Sequence, residues 1–283
     1  MKICQTKADM RETVSAWKRS GDSVCVVPTM GYLHEGHLAL VRRANETANR
    51  VVATIFVNPT QFGPNEDLTS YPRDEQRDLA LLEAEGVDAV FIPSVEEMYG
   101  ERGDTFIEVP SLTGTLQGAL RPGHFRGVAT VVSKLFNIVT PDYAVFGEKD
   151  YQQLVMIRQM VRDLDMPLKI IGHPTVRESD GIAMSSRNVR LTPEHRQEAL
   201  VLSKSLAEAE NLAKTGPEIA DLQTAIRDVL ATSPSGEVMS VDIRDAVTLE
   251  EISGALDQPA VVLLAVRFGA VLLIDQRVII PTA

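Results

Sequence analysis

Short apolar segments separated by helical patterns are the feature that most constrains the fold of this chain. Clear examples are Val24–Val27, Val51–Val57 and Val87–Ile92. Strands that are apolar at nearly every position have both faces buried, which is typical of a parallel sheet covered by helices on each side. Ligands of such sheets bind beyond the carboxyl ends of the strands. The sequence therefore predicts an α/β fold whose functional loops follow its strands.

The order of the predicted elements changes near Pro174. Before it, helices are predicted at 36–49, 74–85, 127–139 and 151–164, and further strands at 143–146 and 168–171. After it come helices at 192–214 and 217–231, then strands at 238–244, 260–266 and 271–279, the last two joined as a hairpin. Helices grouped before strands indicate a separate α+β domain. We therefore predict a parallel-sheet domain over residues 1–175 and a smaller α+β domain over residues 176–283.

Charge and composition argue against several classes of protein. The chain has 28 Lys plus Arg against 39 Asp plus Glu, a formal net charge of −11. We therefore expect no nucleic-acid partner and no binding to an anionic membrane through the overall field. The longest apolar run, Ala260–Val266, is far shorter than the ~20 residues of a membrane-spanning helix. Cys4 and Cys25 show no disulfide or zinc spacing, and no signal peptide is recognisable, so we expect a cytoplasmic protein.

The segment Pro28–His37 places two imidazoles three residues apart where a predicted strand gives way to a helix. Residues three apart share a helix face, so His34 and His37 can reach one ligand. A helix start also presents N–H groups and a positive dipole end, which suit a phosphate. Two other interpretations stay open, a capped helix with two surface histidines and a zinc site, although no third ligand follows at a familiar spacing.

The segment Gly147–Gln153 also marks a change from strand to helix. Lys149 is a point charge suited to phosphate, and Gln153 offers both a donor and an acceptor to a polar substrate. The alternative is an ordinary solvated loop, because exposed charge clusters are common.

Three loops complete the candidate site. Ser185, Ser186 and Arg187 form a donor-rich loop suited to a polyphosphate, or else a plain linker. The stretch Gly118–Gly127 is basic and glycine-rich, and we predict a mobile loop there. The proline-rich loop after the second strand presents the amides of Asn58 and Gln61, suited to a small hydroxy acid, although simple turn chemistry also explains Asn58.

Four long motifs resemble one known family. PTMGYLHEGH, FVNPTQFGPNEDLTSYPR, GEKDYQQL and GIAMSSRN occur in this order and spacing, and they resemble the pantothenate synthetase, or pantoate–β-alanine ligase, family. The resemblance covers essentially the whole chain. It departs at Val271–Gln276, where this chain has VLLIDQ and the family commonly has Thr-Arg-Leu-Ile-Asp-Asn.

The resemblance implies a fold, a reaction and partners. The first domain is expected to be Rossmann-like, the second to act as a smaller lid, and the protein to form a homodimer. The implied substrates are ATP, (R)-pantoate and β-alanine, which condense to pantothenate through a pantoyl adenylate while AMP and pyrophosphate are released. Mg²⁺ is expected to accompany the phosphates, as is usual for ATP chemistry, and no protein ligands are assigned to it.

The resemblance also assigns site residues. The segment His34–His37 is similar to the HIGH-type signature of nucleotidyltransferases, and Met184–Arg187 to its KMSKS-like counterpart. The implied catalytic residues are His37 (as proton donor), His34, Lys149 and Arg187. The implied ATP-binding residues are Met30, Gly31, Tyr32, Leu33, His34, Glu35, Gly36, His37, Gly147, Glu148, Lys149, Asp150, Val176, Met184, Ser185, Ser186 and Arg187. The expected substrate-binding residues are Gln61, Gln153 and Asn58.

Two other functions compete with this one. A nucleotidyltransferase of the same superfamily would transfer AMP or CMP to a phosphate-bearing acceptor and stop, and it should lack the amides of Asn58, Gln61 and Gln153. A non-catalytic nucleotide sensor would not need the histidine pair, Lys149 or the serines of the last loop.

Overall fold

The structure is a computed structural model that describes residues 1–64, 66, 68–69, 71–101 and 103–282. Its contacts group Met1–Gly147 with Gln152–His173 as one unit, and Glu148–Tyr151 with the chain from Pro174 onward as a second unit. The division at Pro174 lies close to the expected boundary, but the segment 148–151 groups with the second unit. The lid role of the second unit stays a prediction. Three residues of the second motif, Asn65, Asp67 and Ser70, lie outside the described residues.

A six-stranded parallel sheet forms the centre of the first unit. Its strands are β1 (Lys2–Cys4), β2 (Val24–Thr29), β3 (Arg50–Ile55), β4 (Ala89–Phe91), β5 (Tyr143–Gly147) and β6 (Lys169–His173). Their order across the sheet is β1-β4-β3-β2-β5-β6, and Val26 of β2 is in register with Val52 of β3 and Ala144 of β5. From β2 to β4 the strands are added on one side of β2, and β5 and β6 are added on its other side. The order of strand addition therefore reverses between β2 and β5. This switch point is where such sheets bind ligands.

Helices connect these strands and supply apolar residues to the core. They are α1 (Lys7–Arg19), α2 (Glu35–Asn45), α3 (Glu75–Ala84), α4 (Val95–Tyr99), α5 (Pro110–Thr113), α6 (Gln117–Leu120), α7 (His124–Val139) and α8 (Tyr151–Asp163). Val27 of β2, Ala53 of β3 and Val90 of β4 pack in one buried cluster with Val41 of α2 and Leu82 of α3. This packing fixes the positions of the loops that leave the carboxyl ends of the strands.

The structure differs from the predicted elements in several details. Helix α1 was not predicted, and the strands predicted at 51–57 and 87–92 are shorter in the structure. The sheet has a sixth strand, β1, which is only three residues long and therefore too short for a periodic pattern. The helix predicted at 36–49 ends at Asn45. The stretch Gly118–Gly127, expected as a loop, contains the end of α6 and the first turn of α7.

The second unit pairs two long helices with an antiparallel sheet. The helices are α9 (Pro193–Ala213) and α10 (Ile219–Leu230), and the strands are β7 (Gly236–Asp245), β8 (Ala260–Phe268) and β9 (Val271–Ile279). They share one apolar core, which includes Leu206 of α9, Leu222 of α10 and Val262 of β8. The predicted fold class, an α/β parallel sheet followed by a smaller α+β region, is confirmed.

Neither cysteine is available for chemistry in the folded protein. Cys4 and Cys25 are fully buried and form no disulfide, and burial raises the pKa of the Cys25 thiol to about 12. Among the described residues, no helix is both long and apolar enough to span a bilayer. The candidate chemistry therefore depends on the polar loops at the strand ends.

Candidate active site

His34 and His37 lie at the start of α2, directly after the central strand β2. The backbone of His34 is extended, and the helix begins at the next residue. The two imidazole rings stack with their centroids 4.0 Å apart. His37 Nδ1 accepts a hydrogen bond from the His34 backbone N–H at 3.3 Å. In a neutral ring, an accepting Nδ1 places the proton on Nε2, so Nε2–H is the hydrogen-bond donor of the His37 ring.

The amide of Asn58 is occupied by protein groups. Its side chain is buried, and its Oδ1 accepts from the hydroxyls of Thr60 at 3.0 Å and Tyr99 at 2.7 Å. Its Nδ2 donates to Gln61 Oε1 and to the Gly127 carbonyl oxygen, both at 3.2 Å. We expected Asn58 to contact substrate. Because both ends of its amide already have partners, the structure instead favours a role in positioning Gln61.

Gln61 lies beside the segment that follows β2. Its Nε2 donates to Met30 Sδ at 3.2 Å, so the structure brings a predicted substrate-binding residue into contact with a predicted ATP-binding residue. Gly127 of α7 packs against the same turn. A Cβ at Gly127 would lie 2.4 Å from the carbonyl oxygen of Thr60 and 2.7 Å from the Cα of Gln61. Only glycine allows so close a backbone approach.

A chain of hydrogen bonds holds the backbone of Gln61. Glu66 and Arg121 form a two-point ion pair at 2.7 and 2.6 Å, and Arg121 Nη1 lies 3.1 Å from His124 Nε2. Because arginine can only donate, His124 Nε2 accepts, and its Nδ1–H donates to the Gln61 carbonyl oxygen at 2.8 Å. The sequence singled out Arg121 and His124 only as part of a basic loop. Their partners are 55 and 63 residues away in the chain.

Arg121 lies in the middle of this chain of hydrogen bonds, between Glu66 and His124. Its hydrogen bonds lower the pKa of the Glu66 carboxyl, so the ion pair is intact at neutral pH. The stabilisation is present above the ordinary pKa of a glutamate and is lost as the pH falls through the lowered value.

Replacing Arg121 with methionine is expected to raise the KM for the substrate that Gln61 binds, with a smaller change in kcat. The change removes the hydrogen bond from Arg121 to His124, so His124 no longer holds the Gln61 backbone firmly. A loss of about 1 kcal/mol in binding free energy corresponds to a rise in KM of about fivefold. Steady-state kinetics with each substrate varied in turn measures this effect.

Arg126 provides the matched control. It lies in the first turn of α7, and its guanidinium is 4.9 Å from the Phe106 ring centroid. Arg126→Met should leave all three KM values unchanged. Equal effects in both variants would mean that the loss of positive charge, and not the chain through His124, causes the change.

In the second unit, three of the predicted phosphate-binding residues line one small pocket. Lys149, Ser185 and Arg187 share it with Leu272 and Asp275 of β9. Leu272 stands where the family commonly has arginine, so this chain presents an apolar side chain at that position.

The loop that carries Ser185 and Arg187 is closed by backbone and side-chain contacts. The Met184 N–H donates to the Val176 carbonyl oxygen at 2.9 Å. Ser185 Oγ accepts from the Arg187 N–H at 3.3 Å and caps the 3-10 turn Ser186–Arg190. The predicted residues Val176 and Met184–Arg187 are therefore parts of one structured loop.

Arg177 and Asp275 fasten this loop to the sheet of the second unit. Arg177 Nη1 and Nη2 donate to the two carboxylate oxygens at 2.7 and 3.0 Å, and the Asp275 side chain is 1% exposed. Arg177 Nη1 also donates to the Gly181 carbonyl oxygen at 3.1 Å. One buried carboxylate thus orders the guanidinium that spans the loop.

A second set of contacts holds the far side of the loop. Asn188 Nδ2 donates to Glu178 Oε1 at 2.6 Å, and Arg196 of α9 donates to Glu178 and Asp180, each at 2.6 Å. Those two bonds raise the pKa of the Arg196 guanidinium, so it stays charged. The loop is therefore preformed in the second unit.

The remaining predicted residues lie where β5 ends. Gly147 is the last residue of β5, and Glu148, Lys149 and Asp150 form a single 3-10 turn. Gln153 is half-buried on α8. The predicted site residues therefore fall into two groups. The first unit holds Met30–His37, Asn58, Gln61, Gly147 and Gln153, and the second holds Glu148–Asp150, Val176 and Met184–Arg187.

A parallel sheet with a switch point beside its central strand, and a helix that begins directly after that strand, is typical of α/β nucleotide-binding enzymes. The sequence profile described as Pantoate-beta-alanine ligase matches residues 2–278. The chain belongs to the pantoate–β-alanine ligase family.

Relatives and solved structures agree with this assignment. The chain is 52% identical to pantothenate synthetase of Rhizobium meliloti over 282 residues, covering 99% of this chain and 97% of that protein. It is similar to the crystal structure of pantothenate synthetase from Thermus thermophilus, with a TM-score of 0.92, 47% identity and coverage of 98% and 99%. It is also similar to the Francisella tularensis pantoate-beta-alanine ligase complexed with beta-gamma ATP and beta-alanine, with a TM-score of 0.79, 32% identity and coverage of 98% and 97%.

Proposed function

We propose that this protein condenses (R)-pantoate with β-alanine to form pantothenate at the expense of ATP, which leaves as AMP and pyrophosphate. Membership of the pantoate–β-alanine ligase family carries this conclusion. The site chemistry supports it, because a carboxylate and a triphosphate can meet in a chain of net charge −11 only where local donors gather. His34, His37, Lys149 and Arg187 are such donors.

We propose a first step in which an oxygen of the pantoate carboxylate attacks the α-phosphorus of ATP. The new P–O bond gives pantoyl adenylate, and the bond to the β-phosphate breaks to release pyrophosphate. Adenylyl transfer depends mainly on positioning and on stabilising charge that moves to the leaving group. The Nε2–H of His37 supplies one such donor, and Lys149 and Arg187 supply fixed positive charge.

In the second step, the β-alanine amine attacks the acyl carbon of the adenylate. The amide bond forms, the amine loses a proton, and AMP departs as a phosphate monoester. Activation is needed because an unmodified carboxylate would have to expel oxide. Gln61 and Gln153 are proposed to hold pantoate, with Asn58 positioning Gln61. The family resemblance also implies that Gln61 contacts β-alanine.

Mg²⁺ is proposed to accompany the phosphates of ATP, where it would neutralise charge. Among the described residues, no three His, Cys, Asp or Glu side chains are grouped so that they could hold a metal ion by themselves. In ATP-dependent enzymes, Mg²⁺ is usually bound by the substrate phosphates and water with only one or two protein carboxylates.

Incubation of the purified protein with ATP, pantoate and β-alanine tests the proposed function. In the steady state, AMP, pyrophosphate and the amide should form in equal amounts, and sustained turnover should require all three substrates. Release of pyrophosphate with a phosphate-bearing acceptor in place of pantoate would indicate a simple nucleotidyltransferase. Nucleotide binding without turnover would indicate a sensor.

We also propose a cytoplasmic homodimer, as the family resemblance implies. The two buried, unpaired cysteines fit a reducing compartment. Light scattering of the purified protein should give twice the 31.0 kDa mass of one chain, and a mass equal to one chain would reject the dimer.

A further inference from the structure

A carboxylate from a distant helix holds the turn that leads into the histidine pair. Asp78 of α3 is 1% exposed. Its Oδ2 accepts from the Tyr32 backbone N–H at 2.6 Å, and its Oδ1 accepts from the Leu33 N–H at 2.7 Å. Bonds of this kind, between an ionised acceptor and backbone donors, are among the stronger hydrogen bonds in proteins.

The turn held in this way has an unfavourable backbone. Gly31 and Tyr32 have φ angles of +81° and +51°, and a tyrosine in the left-handed region costs about 1–2 kcal/mol. Such a conformation persists only where the surroundings over-determine it. A Cβ at Gly31 would lie 3.0 Å from Asp78 Oδ2, which shows how closely the carboxylate approaches the chain.

Side-chain acceptors take four backbone N–H groups between β2 and α2. The Gly31 N–H donates to Thr29 Oγ1 at 3.2 Å, Asp78 takes the next two, and the His34 N–H donates to His37 Nδ1 at 3.3 Å. Asp78 therefore binds the N–H of Leu33, and the next N–H along the chain, that of His34, donates to the His37 ring. A shift of the Leu33 peptide would move the donor that keeps the His37 proton on Nε2.

Arg77 adds a third contact from the same helix. Its Nη1 donates to the Leu33 carbonyl oxygen at 3.0 Å, and its guanidinium lies 5.7 Å from the Tyr32 ring centroid. The Arg77 side chain is 48% exposed, so its removal should affect folding little. Side chains of helix α3 thus hydrogen-bond both the N–H and the C=O of Leu33.

We infer that Asp78 is a positioning residue for adenylate formation: it fixes the turn Met30–His34 so that His37 presents its Nε2–H to the phosphates. The inference rests on the proposed function for its chemistry but not for its geometry. In Asp78→Asn, an NH₂ group replaces one acceptor and faces a backbone N–H, so one bond is lost and two donors oppose each other.

A matched carboxylate separates this role from plain stabilisation. Asp88 accepts from the Val51 N–H at 2.8 Å and from Arg50 at 2.9 Å. Asp88 directly precedes β4 and contacts the first two residues of β3, at the opposite end of the sheet from the candidate site. Asp88→Asn therefore removes a similar pair of bonds from the same unit without touching the turn.

The test combines pantoate-dependent exchange of labelled pyrophosphate into ATP with amide hydrogen exchange. We expect Asp78→Asn to lower kcat for the pyrophosphate exchange about tenfold to a hundredfold, with a smaller change in pantoate KM. Amide exchange over residues 30–37 should rise. Asp88→Asn should lose thermal stability but keep kcat within about twofold of wild type.

Two results would overturn the inference: an unchanged kcat in Asp78→Asn, or an equal fall in both variants. If Asp78→Asn does not fold, Arg77→Met decides, and unaltered kcat and unaltered protection of Leu33 in that variant would count against it. Wild-type protein without pantoate-dependent exchange would reject the proposed function instead, while the rise in amide exchange at residues 30–37 would still report on the turn.

Discussion

His37→Ala is expected to lower the rate of pantoyl adenylate formation about 10²–10³-fold, the loss typical of one preorganised donor. The ring offers Nε2–H because its Nδ1 accepts from the His34 backbone. A donor held in this way acts on charge that develops as pyrophosphate leaves, so it lowers the barrier more than it aids ground-state binding. Single-turnover formation of the adenylate, followed by rapid quench, measures the effect.

Two further variants define what the loss means. His37→Gln keeps an amide donor and should retain more activity than His37→Ala. His195→Ala removes a histidine that packs against Gly269 in the second unit, and it should leave the adenylation rate unchanged. A near-normal rate in His37→Ala would remove His37 from the catalytic residues. If the adenylation rate falls in both alanine variants in proportion to a lower Tm, the effect of His37→Ala would reflect a loss of stability and not a lost donor.

Asp275→Ala is expected to lower the free energy of unfolding by about 3 kcal/mol and to raise the KM for ATP. The change leaves Arg177 without the buried carboxylate that it contacts through two nitrogens. Breaking such a pair by removing one partner is costly, because the other charge stays partly desolvated. Since Arg177 spans the loop of Ser185 and Arg187, that loop loses its ion-pair contact with β9. Urea unfolding and steady-state kinetics measure the two effects.

The control for Asp275 is an ion pair that also involves β9. Arg277 of β9 pairs with Glu210 of α9, whose side chain is 50% exposed. Exposed pairs contribute about 0–1 kcal/mol, so Glu210→Gln should change neither stability nor ATP binding measurably. A rise in ATP KM in Glu210→Gln as large as that in Asp275→Ala would contradict a specific role for the Arg177 contact.

Local patterns predicted the elements and loops that carry the site. Near-continuous apolar segments such as Val24–Val27 and Val51–Val57 identified central strands, because burial on both faces leaves a mark in consecutive residues. The spacing of His34 and His37 at a helix start was also visible, because both residues belong to one short segment of sequence. The three-residue strand β1 was not predicted, since its pairing with β4 depends on residues more than 80 positions away.

The supporting contacts could not be found in this way. Asp78 binds Tyr32 across 46 residues and Asp275 binds Arg177 across 98, and neither aspartate differs in its local sequence from a surface carboxylate. The substrate contact expected of Asn58 stays a prediction, but the structure adds contacts of its amide that the sequence did not indicate. Its position after a strand favoured a substrate contact, but its burial under Tyr99 and Gly127 engages the amide within the protein. Both outcomes depend on tertiary neighbours that periodicity does not report.

Exchange of labelled pyrophosphate into ATP with pantoate present and β-alanine absent tests the account most directly. If the carboxylate attacks ATP before the amine enters, the reversible first step proceeds by itself and label enters ATP. We expect exchange at a rate comparable to turnover, with none when pantoate is omitted. Exchange that requires β-alanine would contradict the two-step account and indicate a concerted reaction of all three substrates.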